Sequence, residues 1–331
     1  MAASTFHGRA PCRGQQLLLI ALLLLLTCAA LACGSTAAIG NTTQGTGTGS
    51  STGSSGSTPQ FSHIVIVMEE NASYNDVIGS SAMPFLNGLA NKYGLATQYY
   101  ANTHPSIGNY FMITTGKTIT NDDGFSGTVS DDNLVRQFVK DGKSWKTYQE
   151  SIPSAGYLGG DAYPYLKHHN PFAYFSDVTG DSSLANNIVP FSNFSQDVSS
   201  GNLPNFAFVV PNVEHDAHDC PSGGQLCQLQ DKLATADTWL QNHIDPLIGS
   251  AAFSDTLLVI VFDEGDGADF MNGGGHVAAV LVSPKGKMNF QSSTQFQHQN
   301  LERLIGDALR LSSIPGAGST AAGMGEFFSQ P

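Results

Sequence analysis

Four unbroken apolar runs of strand length constrain this chain more than any other feature. They are His63 to Met68, Asn205 to Val210, Thr256 to Phe262 and Val277 to Val282. Successive side chains of a strand point to opposite faces of a sheet, so a run that is apolar at nearly every position needs cover on both faces. Helical patterns lie between and after the runs, at 83–93, 109–115, 133–140, 229–248 and 300–311. Buried strands alternating with helices predict an α/β fold with a mostly parallel central sheet between helical layers. No repeat and no internal low-complexity stretch divides the body. Residues 60–315 therefore read as one domain and 316–331 as a C-terminal tail.

In folds of this kind the chemistry gathers at the carboxyl ends of strands. The first run continues into Glu69-Glu70-Asn71, and the Thr256 run into Asp263-Glu264. The Asn205 run is followed by a segment holding Asp216 and His218, and His276 opens the last run. Carboxylate, amide and imidazole ligands from scattered loops suit a divalent cation. Glu70, Asn71, Asp263, Glu264, Asp216, His218 and His276 are thus the candidate metal ligands. The residue types do not choose among Zn, Mn, Mg and Ca. One acidic loop alone is ordinarily a solvated turn; several at equivalent strand ends carry more weight.

Ser106 lies in Thr103-His104-Pro105-Ser106-Ile107-Gly108-Asn109-Tyr110, between a predicted strand at 98–101 and an apolar helix. A serine there is a helix cap, a nucleophile placed where free N–H groups favour an anion, or both at once. A hydroxyl needs a base or metal to become nucleophilic. His104 is a further catalytic candidate, and Asn109 a substrate-binding one. Lys167-His168-His169-Asn170-Pro171-Phe172 is a cationic loop. Lys167, His168 and His218 are candidates to bind phosphate oxygens, and His169 and His298 to protonate a leaving alkoxide. A pair of surface histidines is the plainer reading of the loop.

The N-terminus reads as an export signal. Arg9 and Arg13 precede an apolar run from Leu17 to Leu31, which ends at Ala30-Leu31-Ala32-Cys33. Cys33 is the lipidated residue if this is a lipobox; the alternative is an ordinary signal-peptidase cut and free secretion. Residues 1–33 are then the leader and 34–59, rich in Gly, Ser and Thr, a flexible linker. Cys220 and Cys227 are the remaining cysteines of the body, and two thiols in an exported domain pair, with zinc ligation as the alternative. The formal net charge is -13. Such a body repels nucleic acid and anionic membrane surfaces, leaving a lipid anchor as the route to a membrane.

Met68-Glu69-Glu70-Asn71-Ala72-Ser73-Tyr74 and Thr103 to Tyr110 resemble the E-N-x-S-[FY] and T-H-P-S-x-P-N-Y motifs of the bacterial phosphoesterase family. Lys167 to Phe172, Pro211 to Asp219, Thr238-Trp239-Leu240, Phe262-Asp263-Glu264 and His298 follow in that family's order, over residues 61–312. The resemblance implies an alkaline-phosphatase-like α/β/α sandwich and an acid-phosphatase activity on phosphomonoesters, including phosphatidylinositol 3-phosphate. A phospholipase C-type phosphodiesterase is the alternative, and a cell-surface binding lipoprotein with a decayed site the reading from another class. It also implies Ser106 rather than Thr103 as the nucleophile. Glu70, Asn71, Asp263 and Glu264 become the leading ligand positions. Three departures stand out: Gly108 where the motif has Pro, expected to loosen the turn; a doubled His168-His169, with His169 expected to point inward; and Phe262 in place of Trp.

Overall fold

A computed structural model describes residues 56–329 apart from Gln225. The leader, Cys33 and nearly all of the predicted linker lie outside the described residues. The apolar runs become the middle of one eight-stranded sheet. Its strands are β1 (His63–Glu69), β2 (Gly94–Ala96), β4 (Trp145–Gln149), β5 (Ile188–Pro190), β6 (Phe206–Val210), β7 (Thr256–Phe262), β8 (Ala279–Val282) and β9 (Phe290–Ser292), in the order β5-β4-β6-β1-β7-β8-β2-β9. A separate small sheet pairs β3 (Tyr99–Tyr100) with β10 (Phe296–Gln297). That is all that forms of the strand predicted at 98–101. β1 runs parallel to both neighbours, with Ile64 beside Phe206 and Glu69 beside Phe262. β8 is antiparallel to β7. Every residue from Ile64 to Glu69 is buried, as two-sided cover requires.

The main helices are α1 (Pro84–Lys92), α2 (Ile107–Thr115), α3 (Leu134–Lys140), α4 (Ser192–Ser200), α5 (Leu229–His243) and α6 (His298–Leu309). α2 packs on α6, and α1 on α5, forming the helical cover of the sheet. The long helix predicted at 229–248 ends at His243, and a separate turn, Asp245–Ile248, follows. Pro246 in that turn has no N–H to continue the ladder. Asp237 of α5 ties the two helices of its pair by accepting from the Phe85 and Leu86 amides at 2.9 and 2.8 Å. Among the described residues, no helix is long and apolar enough to cross a membrane. The structure joins Cys220 to Cys227, closing a short loop between β6 and α5.

Residues 316–328, set apart in the sequence as a tail, are built into the body. Ala317 N–H donates to the Gly116 carbonyl, and Phe327 and Phe328 are buried. Glu302 of α6 holds this segment: one carboxylate oxygen accepts from the Gly318 amide at 3.0 Å, and the other makes no hydrogen bond. Burial raises its pKa from 4.5 to about 9. A carboxyl raised on folding contributes stability that is fully present below about pH 4.5 and is lost as pH climbs through about 9. Glu302→Gln is expected to remove that dependence. Between pH 5 and pH 9 the wild-type melting temperature should fall by about 10 °C or more beyond that of the variant. Parallel melting curves against pH would show that Glu302 carries no such proton.

Candidate active site

The strand register builds the site. Because Glu69 pairs with Phe262, the next residues, Glu70 and Asp263, emerge side by side. Asp263 N–H donates to the Glu69 carbonyl at 2.9 Å, and Glu70 N–H to the Asp216 carbonyl at 2.7 Å. Three segments, following β1, β6 and β7, are thereby stitched together at one rim. Asn71 takes the left-handed conformation, φ 51°, and its N–H donates to Asp263 Oδ1 at 3.3 Å. Asn and Asp tolerate that region better than other side chains with a Cβ.

Glu70 is the hub. Its Oε2 accepts from Ser106 Oγ at 3.1 Å and its Oε1 from the Tyr110 hydroxyl at 2.5 Å. His169 Nε2 lies 3.4 Å from Glu70 Oε1, and His169 Nδ1 lies 3.7 Å from Asp216 Oδ2. The His169 ring stacks flat on Tyr110, 5.3 Å between centroids. Ser106 has helical angles and makes no capping bond with its side chain. The hydroxyl faces the carboxylate instead, so the simple cap is not what forms.

Glu70, His169 and Asp216 each offer a ligand atom within 4.8 Å of the others, and all three are buried. His169 Nε2, Asp216 Oδ2 and Asp263 Oδ2 are buried without a hydrogen-bond partner. Burial raises the pKa of Glu70, Asp216 and Asp263 well above the usual carboxyl value; the charge of Asp263 adds to it at Glu70 and Asp216, and that of Glu264 at Asp263. Burial holds His169 well below its usual value, as a neutral ring. Orphaned carboxylate and imidazole atoms facing one another fit a divalent cation, which would satisfy them and offset their repulsion.

The histidines depart most from expectation. His169 points inward, but into the carboxylate group, so it fits a ligand position rather than a leaving-group acid. His298 is fully buried, with Nδ1 against the Tyr99 hydroxyl at 3.1 Å and Nε2 on the Asp263 carbonyl at 2.6 Å. Neither ring nitrogen is left for a substrate, and burial lowers its pKa to about 4. Its place is to hold the backbone under Asp263. His276 is sandwiched between Tyr74 and Tyr100, with Nε2 on the Thr97 carbonyl at 3.0 Å. That packing keeps it apart from the Glu70 group, so it is not among its ligands.

His104 also has both nitrogens engaged, by Glu264 Oε1 at 3.1 Å and the Asp269 carbonyl at 2.8 Å. The hydrogen bond to Glu264 raises its pKa to about 9, making a held imidazolium rather than a proton shuttle. Glu264 is thus paired with His104 and stands outside the Glu70 group. Asn109, expected on the substrate, is buried: its Oδ1 accepts from the Asn102 and Thr103 amides at 3.0 and 3.2 Å. It staples the 102–103 turn to α2. Lys167 Nζ lies over the Tyr174 ring, 4.5 Å from its centroid, instead of facing an anion. His168 and His218 flank His169, at ring separations of 4.5 and 5.7 Å, and both are half-buried. His218 N–H donates to Asp216 Oδ1 at 2.9 Å, and its Nδ1 pairs with Asp219 at 2.8 Å.

Gly108 does not loosen the turn. A Cβ there would lie 2.6 Å from Thr103, 2.8 Å from Thr118 and 2.9 Å from Asn121. Glycine is what lets the 118–123 segment close on α2. Two residues escaped the sequence reading. Tyr110 sits in a recognised motif, but nothing in its spacing shows that its hydroxyl reaches Glu70. Asp123 accepts from the Ile107 amide at 3.1 Å, at the N-terminus of α2. A pair of aspartates in a turn gives no such signal.

The chain is 33% identical over 212 residues to the phosphatidylinositol-3-phosphatase of Mycobacterium tuberculosis, covering 63% of this chain and 66% of that protein. It is 33% identical over 196 residues to the phosphate-repressible acid phosphatase of Penicillium chrysogenum, covering 56% of this chain and 45% of that one. The match thus spans about two thirds of the first relative and under half of the second. Among solved structures it is similar to a lipoteichoic acid synthase of Listeria monocytogenes, at TM-score 0.57 and 14% identity over 82% of this chain and 76% of the other. It is also similar to an alkaline phosphatase superfamily protein of Vibrio parahaemolyticus, at TM-score 0.52 and 15% identity over 76% and 69%. These likenesses show the fold, an alkaline-phosphatase-like α/β/α sandwich. The family profile matches residues 80–312, well over half of the length, and the chain belongs to the phosphoesterase family.

Proposed function

We propose that this chain is an exported phosphatase that hydrolyses phosphate monoesters by way of a phosphoserine at Ser106. The observation that carries the reading is the Ser106 hydroxyl turned onto Glu70, inside a buried group of carboxylates and one neutral histidine. Glu70, His169 and Asp216, with Asp263 beside them, are the residues that would hold a divalent cation. Such a cation supplies charge neutralisation for phosphoryl oxygens and a lowered hydroxyl pKa. Glu70 Oε2 orients the Ser106 hydroxyl and receives its hydrogen. Ser106 Oγ bonds to phosphorus as the ester P–O bond breaks. His168 or His218 delivers a proton to the leaving oxygen, since His298 has no nitrogen free. Water then attacks phosphorus, giving a proton back to the same histidine, as the P–Oγ bond breaks and Ser106 Oγ takes its hydrogen back from Glu70.

The relatives' names support a phosphomonoester, a phosphoinositide among them, as the substrate class. The leader supports export, with Cys33 as the point of lipid attachment or free secretion as the alternative. Release of p-nitrophenol with added divalent metal is expected to be at least about tenfold faster in kcat/KM from p-nitrophenyl phosphate than from p-nitrophenyl phosphorylcholine. A preference for the diester would move the chain to the phospholipase C-type activity. Phosphate binding with no turnover of either would make it a binding protein.

A further inference from the structure

We propose that Asp123 is a built-in competitor for the substrate's phosphate, and so a determinant of phosphate affinity; this rests on the phosphatase reading above. The amides at the start of α2, directly after Ser106, are where a phosphate oxygen gains most from free N–H groups and the helix dipole. One of them, Ile107 N–H, is already bonded to the Asp123 carboxylate at 3.1 Å. An anion of the protein's own thus stands beside the nucleophile, in the position an incoming anion would use.

The contact is held in place from three directions. On one side Gly108 admits the turn, since any Cβ there would strike Thr103, Thr118 and Asn121. On the other, Phe125 stacks on Tyr174 at 5.7 Å and meets Phe111 edge-on at 6.3 Å. Between them Ile119, a β-branched residue, takes φ 59°. A β-branched side chain in that region is strained, and it persists when surrounding contacts fix it. Asp122 closes the turn by accepting from the Gly124 amide at 2.9 Å. Asp123 is left to face α2, where its charge is felt by His168 and Glu264.

A phosphate reaching Ser106 must therefore displace Asp123 from the amide or bind against its charge. Either way affinity is lower than the same site would give without the carboxylate. Repulsion scales with ligand charge, so a dianion loses more than a monoanion. In a phosphatase this weakens retention of the inorganic phosphate product.

The test is calorimetric titration of inorganic phosphate into the metal-loaded protein, with product inhibition and KM measured alongside. Asp123→Asn keeps an acceptor for Ile107 and removes only the charge; Asp123→Ala removes both. Both variants are expected to bind phosphate about tenfold more tightly, with a parallel fall in KM for p-nitrophenyl phosphate. KM for bis-p-nitrophenyl phosphate, a monoanion, should fall by only about threefold. Unchanged or weaker phosphate binding in Asp123→Asn, or equal gains for dianion and monoanion, would overturn the proposal. If wild-type protein turns over the monoester while the variant behaves identically, this inference alone fails. If wild-type protein neither binds phosphate nor turns over the monoester, the phosphatase reading fails and takes this one with it.

Discussion

Replacing Ser106 with alanine is expected to lower phosphate release by about a thousandfold or more while leaving the fold in place. The size follows from its position. The hydroxyl bonds directly to Glu70 at 3.1 Å, and the other hydroxyl on Glu70, that of Tyr110, belongs to a fully buried phenol stacked on His169. Removing it leaves the carboxylates, His169 and the start of α2 untouched. Stability should change little, because Ser106 makes no capping bond that α2 would lose. Metal uptake should stay at the wild-type level, and a radiolabelled phosphoryl group that wild-type protein retains after acid quench should be absent. A variant keeping most of its activity would mean that water attacks phosphorus directly and that Ser106 is no part of the covalent path.

Asp263→Asn is expected to cost at least about a hundredfold in activity, and it separates two effects of the carboxylate. Asp263 is fully buried, with Oδ1 on the Glu264 amide at 2.6 Å and Oδ2 unpartnered. Without metal that charge is a liability, because burial and the neighbouring Glu264 both oppose ionisation. The amide variant should therefore melt no lower than wild type in chelator at neutral pH. With metal at about a hundred times its dissociation constant, wild type should gain about 3 kcal/mol and the variant much less. The order of the two melting temperatures should reverse between the two conditions. Equal metal content, measured by mass spectrometry, together with equal gains would remove Asp263 from the metal's surroundings.

The sequence made the sheet's centre legible because β1, β6 and β7 are apolar at nearly every position, which only a doubly covered strand needs. β4 was missed because Trp145-Lys146-Thr147-Tyr148-Gln149 mixes polar and aromatic residues. β2, β5 and β9 have three residues each, too few for any period. At the site, Glu70, Asp216 and Asp263 were legible because carboxylates recur just past several parallel strands, where a single acidic loop would read as a solvated turn. The histidines were not. Whether an imidazole is a ligand, an acid or a prop depends on what meets each nitrogen. For His298 and His276 those partners are Tyr99, Thr97 and a backbone carbonyl, brought together only by tertiary packing. Asp123 was hidden for a related reason: its meaning lies in a turn that closes on Gly108.

The register of β1 makes neighbouring glutamates unequal. Glu70 reaches the Ser106 hydroxyl, whereas Glu69 is sealed in the interior, with both carboxylate oxygens unpartnered. Alternation along a strand means that a slip of one residue would exchange the two. The apolar letters on either side would tolerate such a slip almost unnoticed, since Val, Ile and Met suit either face. An insertion or deletion inside this strand would thus leave a folded, well-packed protein whose acid had changed sides of the sheet. Loss of activity with intact stability is the signature by which such a lineage could be recognised.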